Sequence, residues 1–266
     1  MRNVYRAYVM AAVAAATLLF LTATASADDR TGVLEGRHHR YETPQRFALE
    51  FRFTRYTPRI DSAPELNGET PYQNTFGTLP RLEISTEFDW QVLRIPHLGT
   101  LGPGVSVGYT SMAAKARAHA DPALVSGENT SLDIFPMYVV VVLRADVFAR
   151  EMQIPLVPYV KGGVGYALWR AYNDAGTSSV PVDANNASAG AVSGKGHTFG
   201  SHVAAGIALH LNQFDNAASV NLDNSVGINH TYFFAEYMLS QLTGLGQSHA
   251  LYVGTNTWTM GLTFEM

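Results

Sequence analysis

Hydrophobic and polar residues alternate strictly near the C-terminal end of the chain. From Thr255 onward, every second residue is apolar and the residues between them are small or polar. Side chains on a strand point to opposite faces with a period of two, so this pattern predicts a strand with one apolar and one polar face. Alternation alone does not tell whether the apolar face packs in a soluble core or meets lipid. That face consists of Trp258, Met260, Leu262, Phe264 and Met266.

Seven other segments show a similar alternation, although it is masked where both faces of a segment are apolar. Stretches rich in Gly, Pro, Asn and Ser, which favour turns, separate the segments. Long loops are predicted at 57–79, 113–129 and 173–196, and Pro136 indicates a bulge because it lacks a backbone N–H. The predicted strands cover 46–56, 81–92, 103–112, 131–148, 155–172, 197–211, 228–241 and 251–266.

The length and number of these strands favour a membrane barrel over a soluble sandwich. Strands of soluble sheets cluster at about 5–6 residues, whereas a strand that crosses a bilayer needs about 9–11. Aromatic residues lie near the ends of several segments, as in the interfacial girdles of membrane barrels. We therefore predict an all-β fold, an eight-stranded antiparallel transmembrane β-barrel of the outer-membrane type, with both ends of the chain on the periplasmic side.

The N-terminus predicts secretion. Arg2 and Arg6 precede an apolar segment, and Ala25-Ser26-Ala27 forms an A-x-A cleavage site. The apolar segment is short for a transmembrane anchor, which is the alternative interpretation. The predicted organisation is therefore a cleaved signal peptide (1–27), a polar leader (28–44) and the barrel (45–266).

Composition agrees with this class and excludes others. Hydrophobic residues make up 47% of the chain and charged residues only 15%, against a usual charged share of about 25%. The net charge of −4 argues against a nucleic-acid-binding protein. The chain has no cysteine, so disulfide and thiol chemistry are excluded.

In a barrel with its apolar face outside, many charged residues must point inward. An eight-stranded barrel is just wide enough for side chains to fill it, and buried charges must pair. The sequence therefore predicts an ion-paired plug, with a narrow gated path for polar solutes as the alternative. The predicted lumen charge network consists of Glu50, Arg52, Glu83, Glu87, Arg144, Lys161 and Glu236, and Asp89, His202 and His210 lie on the same inner faces.

Other candidate chemistry is weaker. His230, Tyr232 and Glu236 lie on one face of the seventh predicted strand and could form a lipid hydrolase, but no G-x-S-x-G motif is present. His38 and His39 are adjacent, which is not the spacing of metal ligands. We therefore predict no catalytic residue, no metal and no cofactor.

Four sequence blocks resemble a known family. They begin at Arg46 (RFALEFRF), Ile154 (IPLVPYVKGGVGYALW), Asn221 (NLDNSVGINHTYFFAEY) and Gly261 (GLTFEM). The chain from residue 45 onward resembles an outer-membrane β-barrel family of myxobacteria and related deltaproteobacteria, with small OmpA-like eight-stranded barrels. The resemblance implies a fold and a location in the outer membrane of a Gram-negative bacterium, but no activity. Met266 departs from the family, whose barrels usually end in an aromatic residue.

These observations predict a structural or surface-interaction role, with the three long loops outside the cell. The alternatives are a small gated channel or transporter of polar solutes and, less favoured, a lipid-modifying enzyme. The expected partners are outer-membrane lipids and the barrel-assembly machinery, which would bind the C-terminal strand. We expect a monomer that does not bind nucleic acid.

Overall fold

Long antiparallel strands dominate the computed structural model, which describes residues 46–117, 125–174, 176–181, 191–213, 227–247 and 250–266. The predicted signal peptide and leader lie outside the described residues. The strands are β1 (Phe47–Tyr56), β2 (Arg81–Trp90), β3 (Leu93–Ile95), β4 (Gly99–Arg117), β5 (Val125–Arg144), β6 (Leu156–Asn173), β7 (Gly176–Thr177), β8 (Ser179–Pro181), β9 (Ala191–Ser193), β10 (Lys195–His210), β11 (His230–Leu242) and β12 (Asn256–Glu265). The helices are α1 (Pro71–Phe76) and α2 (Val147–Arg150).

Eight of the described strands close into a barrel. Each of β1, β2, β4, β5, β6, β10, β11 and β12 pairs antiparallel with the next, and β12 returns to pair with β1. In this closing pair β1 and β12 run antiparallel, and Glu50 lies opposite Thr263. The predicted eight-stranded antiparallel barrel is confirmed. Among the described residues, no helix is both long enough and apolar enough to span a membrane.

The two ends of the barrel differ. The backbone N–H groups of Arg46 and Phe47 donate to the carbonyl of Met266, so the start of β1 and the end of β12 meet at one end. We call this the terminal end. The other end, where β1 leads into the segment that carries α1, is called the loop end.

Two predicted features of β4 and β5 are wrong. The polar loop at 113–129 is largely strand, because the ladder of β4 and β5 continues from Ala113–Ser131 to Lys115–Asn129. Polar residues hydrogen-bond in a ladder as well as apolar ones, so the loss of apolar alternation did not mark the end of the strands. At the other end, β5 stops at Arg144 rather than 148, and α2 follows.

Pro136 does not mark a bulge. The register of β4 against β5 is the same on both sides of it, and the shift lies instead between Lys115 and Arg117. Gly108 faces Pro136, and a β-carbon there would come within 3.2 Å of the proline ring. The missing side chain of Gly108 therefore makes room for the ring in a regular strand.

The predicted loop at 173–196 also contains short strands. β7 pairs with the end of β6, and β8 and β9 form a two-stranded sheet of their own. Residues 182–190 and 214–226, within two predicted connections, lie outside the described residues.

Candidate functional site in the barrel interior

The inner face of the barrel carries charge and the outer face is apolar. All seven residues of the predicted lumen network are buried, on β1, β2, β5, β6 and β11. Each lies on the polar side of an alternating strand, where its neighbours in sequence point outward. The network residues are Glu50, Arg52, Glu83, Glu87, Arg144, Lys161 and Glu236.

Glu50 is the centre of the network. One of its carboxylate oxygens accepts from Arg52 Nη1 at 2.7 Å and from Lys161 Nζ at 2.8 Å. The other accepts from Arg144 Nη2 at 2.6 Å. A single buried carboxylate thus receives a charged hydrogen bond from every base of the network, which offsets its own desolvation.

Two further glutamates complete the pairing of these bases. Glu87 pairs with Arg52 at 3.1 Å and also with Lys161. Glu236 pairs with Arg52, accepts from the Tyr159 hydroxyl at 2.9 Å and lies 3.6 Å from Lys161. Because each base bridges several acids from different strands, the network ties together walls of the barrel that share no backbone ladder.

Aromatic rings fill the space that the ion pairs leave. The Arg52 guanidinium lies 5.6 Å from the centre of the Phe234 ring, and Lys161 Nζ lies 5.1 Å from that of Tyr159. A cation over an aromatic face in a desolvated site is stabilised by about 2 kcal/mol. These two rings belong to the same layer as the charges, so the lumen at this height holds packed side chains.

A second layer of polar contacts lies nearer the terminal end. Arg144 pairs with Asp89 there, in addition to Glu50. Glu265 accepts from Gln91 Nε2 at 2.7 Å and from the Tyr232 hydroxyl at 2.9 Å. Glu265 belongs to the polar face that the alternation predicts for the C-terminal strand. Gln91 was not among the predicted lumen residues, although it continues the inward series of the predicted strand 81–92 and lies one residue beyond the end of β2.

Glu83 is buried in the interior but does not join the ion pairs. Within the described part of the chain, no base lies within ion-pair distance of it, and its Oε2 atom has no hydrogen-bond partner. Glu83 pairs in register with Thr54, which is two residues closer to the loop end than Arg52. The ion-paired network in the structure therefore lacks Glu83, which the sequence had placed in it.

The acids could in principle hold a metal ion. Oxygens of Glu50, Glu87 and Asp89 lie within 4.8 Å of one another, and this is the sole group of that kind in the described ranges. Lys161 and Arg144 already contact these three carboxylates. Side-chain cations therefore supply the positive charge that a metal would bring.

The groups considered for lipid hydrolysis are not assembled. Tyr232 donates its hydroxyl hydrogen to Glu265 rather than facing Glu236. Glu236 is bound by Arg52 and Tyr159. The His230 ring instead lies 4.7 Å, centre to centre, from that of His210.

The loop end of the lumen is closed by apolar residues. Tyr56, Ile134 and Leu242 are fully buried there, and the Tyr56 hydroxyl donates to the Val253 carbonyl. Below them, the Tyr138 hydroxyl and Ser240 Oγ lie 3.0 Å apart across the barrel. The interior is therefore charged in the middle and apolar at this end.

Helix α1 packs against this apolar cluster from the segment after β1. Tyr72, on its first turn, is part of the cluster, and burial raises the pKa of its hydroxyl. Both carboxylate oxygens of Asp61 accept from the start of the helix, at 2.7 Å from Tyr72 N and 2.9 Å from Gln73 N. This carboxylate satisfies two N–H groups that a helix leaves without an internal partner.

The predicted C-terminal strand places its apolar residues on the outer surface. Trp258 is 59% exposed and packs edge-on against Tyr237 of the next strand. Phe264 meets Phe51 edge-on across the seam between β12 and β1. The outward residues of this strand are Trp258, Met260, Leu262, Phe264 and Met266, while Thr259, Thr263 and Glu265 are buried inside.

Solved outer-membrane barrels are similar to the chain at low identity. OprG from Pseudomonas aeruginosa matches with a TM-score of 0.43 and 10% identity, over 84% of this chain and 96% of that one. Ail of Yersinia pestis, solved with the heparin analogue sucrose octasulfate, matches with 0.40 and 10%, over 84% and 97%. The N-terminal barrel domain of P. aeruginosa OprF matches with 0.39 and 8%, over 84% and 98%. No protein-family model and no curated protein matches the chain.

Proposed function

We propose that the chain is a monomeric outer-membrane β-barrel with a filled lumen, whose role is structural or surface-interactive. The observation that carries this proposal is that ion pairs lie inside the barrel and apolar side chains lie outside, the reverse of a soluble barrel. A soluble protein rarely exposes an apolar patch larger than a few hundred Å². Here apolar side chains cover the outer face of all eight barrel strands.

The exterior has the dimensions of a membrane span. β1, β2 and β12 are each 10 residues long. At about 3.4 Å per residue and a tilt of about 40°, such a strand rises about 25 Å, which is the height of the apolar band of an outer-membrane barrel. The closed ladder leaves no edge strand whose N–H and C=O groups would meet lipid.

The interior supports a structural role over transport. A polar path needs water along the axis, but here charged side chains from opposite walls meet and an apolar cluster follows them. The terminal end then faces the periplasm and the loop end faces outward, as expected for a barrel with an even number of strands. The extension of β4 and β5 carries polar residues beyond the apolar band, where they are available for contacts at the cell surface.

Cell fractionation and refolding test this proposal together. The full chain should appear in the outer membrane, and the purified protein should migrate faster on gels before boiling than after it. A soluble periplasmic protein whose migration does not change on boiling contradicts the proposal. Lipid hydrolysis that depends on His230 and Glu236 would instead support an enzyme, against the contacts seen here.

A further inference from the structure

Two basic residues face each other on the outer surface near the loop end. Arg170 of β6 and Lys195 of β10 are direct partners in the antiparallel register. Toward the membrane band, the outward positions of β6 are apolar or aromatic, with Val164 63% exposed, and the facing strand β10 carries Phe199, which is 40% exposed. The two charges therefore lie at the rim of the apolar exterior and not on a remote loop.

Like charges placed directly opposite each other on a sheet are destabilising unless an anion lies between them. Among the described residues, Lys195 makes no hydrogen bond or ion pair with a side chain. Arg170 donates from Nε to Thr177 Oγ1 at 3.0 Å, and its guanidinium lies 5.7 Å from the centre of the Tyr172 ring. These contacts hold the guanidinium in place, and none of them uses its two terminal nitrogens.

The carboxylate nearest in register offsets only one of these two charges and forms no ion pair with Arg170. Asp133 lies opposite Arg170 across the β5–β6 ladder. Its Oδ1 atom instead accepts from the hydroxyl of Tyr109 at 3.3 Å and that of Tyr172 at 3.4 Å. With Asp133 counted, the group keeps an excess of one positive charge.

A cluster of aromatic rings lies next to the basic pair, on its membrane side. The Tyr166 ring lies 4.9 Å from that of Phe199 and 5.7 Å from that of His197, all on the outward faces of β6 and β10. Aromatic side chains with polar tips occupy the level of lipid headgroups in membrane proteins. The basic pair thus lies just above a headgroup-level aromatic cluster, on the side away from the membrane centre.

We propose that Arg170 and Lys195 bind the phosphate group of a lipid in the leaflet that surrounds the loop end. The guanidinium presents parallel N–H groups that suit phosphate oxygens, and the ammonium adds a second positive charge from the facing strand. The acyl chains of the same lipid lie along the apolar residues below. This inference rests on the proposed outer-membrane location, because only that location brings a lipid to this surface.

Titration of lipids onto the full chain in detergent micelles, followed by native mass spectrometry, tests the site. The probes are diphosphorylated lipid A, a phosphate-free glucosyl diacylglycerol and inorganic phosphate. Wild-type protein should bind lipid A about 25-fold more tightly than the phosphate-free glycolipid, since each of the two basic residues near a lipid phosphate adds about a factor of five. R170Q/K195Q should lose that preference.

The matched control is R55Q/K115Q. Arg55 and Lys115 are also exposed, outward-facing basic residues near the loop end, but they are not register partners. This variant has the same net charge as R170Q/K195Q and should keep the lipid A preference to within about twofold. Equal losses in the two variants, or an undiminished preference in R170Q/K195Q, overturn the proposal.

Three further readouts separate the possible causes. Inorganic phosphate in excess should not displace lipid A, and full displacement would show a free-anion site and contradict a lipid site. R170Q/K195Q should unfold at the same or a higher denaturant concentration than wild type without lipid A, because repulsion is relieved, and at a lower one with it. Wild-type protein that does not show heat-modifiable migration would refute the membrane location itself, independently of the site.

Discussion

Lys161 Nζ lies 2.8 Å from Glu50 Oε2, although β6 and β1 stand four strands apart on opposite sides of the eight-stranded barrel. This one contact spans the lumen. Both residues are buried, and Glu50 also receives hydrogen bonds from Arg52 and Arg144. A side-chain ion pair therefore links opposite walls of the barrel across the lumen, where no backbone hydrogen bonds connect them.

Lys161→Met should be strongly destabilising. The substitution keeps most of the side-chain volume but leaves Glu50 and Glu87 with less positive charge in a buried site. Removing one partner of a buried pair typically costs about 3–5 kcal/mol. Guanidinium unfolding in lipid vesicles, followed by tryptophan fluorescence, measures the change. Lys115→Met, at an exposed outward position, is the control and should change stability by less than about 0.5 kcal/mol; equal stability of K161M and wild type would refute the role given to Lys161.

A glycine on the inner wall should not tolerate a methyl group. A β-carbon at Gly165 would lie 2.6 Å from Leu242 Cδ2 and 2.9 Å from the Tyr138 ring, whereas one at Gly162 meets nothing within 4 Å. Overpacking a filled interior costs about 1–3 kcal/mol. Gly165→Ala should therefore lower the unfolding midpoint, and Gly162→Ala, on the outer face of the same strand, should not. Equal midpoints for the two variants would show that the interior is not packed as described.

The segment between β1 and β2 should loosen when Asp61 is replaced. Asp61 accepts hydrogen bonds from the first N–H groups of α1, so Asp61→Ala should cost about 1 kcal/mol of local stability. Limited proteolysis of intact vesicles should cut this segment faster in D61A than in wild type. Glu65→Ala, on the same segment, provides the comparison and should leave the cleavage rate unchanged; unchanged cutting of D61A would contradict the anchoring of α1.

The terminal residue offers a test of assembly. Met266 hydrogen-bonds by its backbone to Phe47, so a change of its side chain leaves the closing ladder intact. If the C-terminal strand is read by the assembly machinery, Met266→Phe should raise the fraction of folded, heat-modifiable protein in cells. Met260→Phe, also outward on β12, is the control. An effect of the same size in both variants would point to general hydrophobicity rather than to the terminal position.

Alternation in the sequence predicted the faces of the strands well. Arg52 and Glu87 were assigned inward from their apolar neighbours alone, and the structure places both inside. Alternation also fixed the number of barrel strands, because each crossing repeats the same period.

The partners of each charge could not be predicted in this way. Glu50 and Lys161 are 111 residues apart, and their meeting depends on the stagger of strands around the closed barrel. Glu83 has the same sequence signature as Glu87 but sits one layer away from the bases. The polar ends of β4 and β5 were missed for a different reason, since a ladder beyond the apolar band needs no alternation.

The central claim is that side chains fill the lumen of a membrane-inserted barrel, and planar-bilayer recording tests it most directly. Insertion is established first by heat-modifiable migration and by protection of the barrel from protease in the same vesicles. The account predicts no stepwise current from the inserted wild-type protein across a range of salt concentrations and pH values. Reproducible conductance steps from inserted protein would contradict it and favour a gated channel.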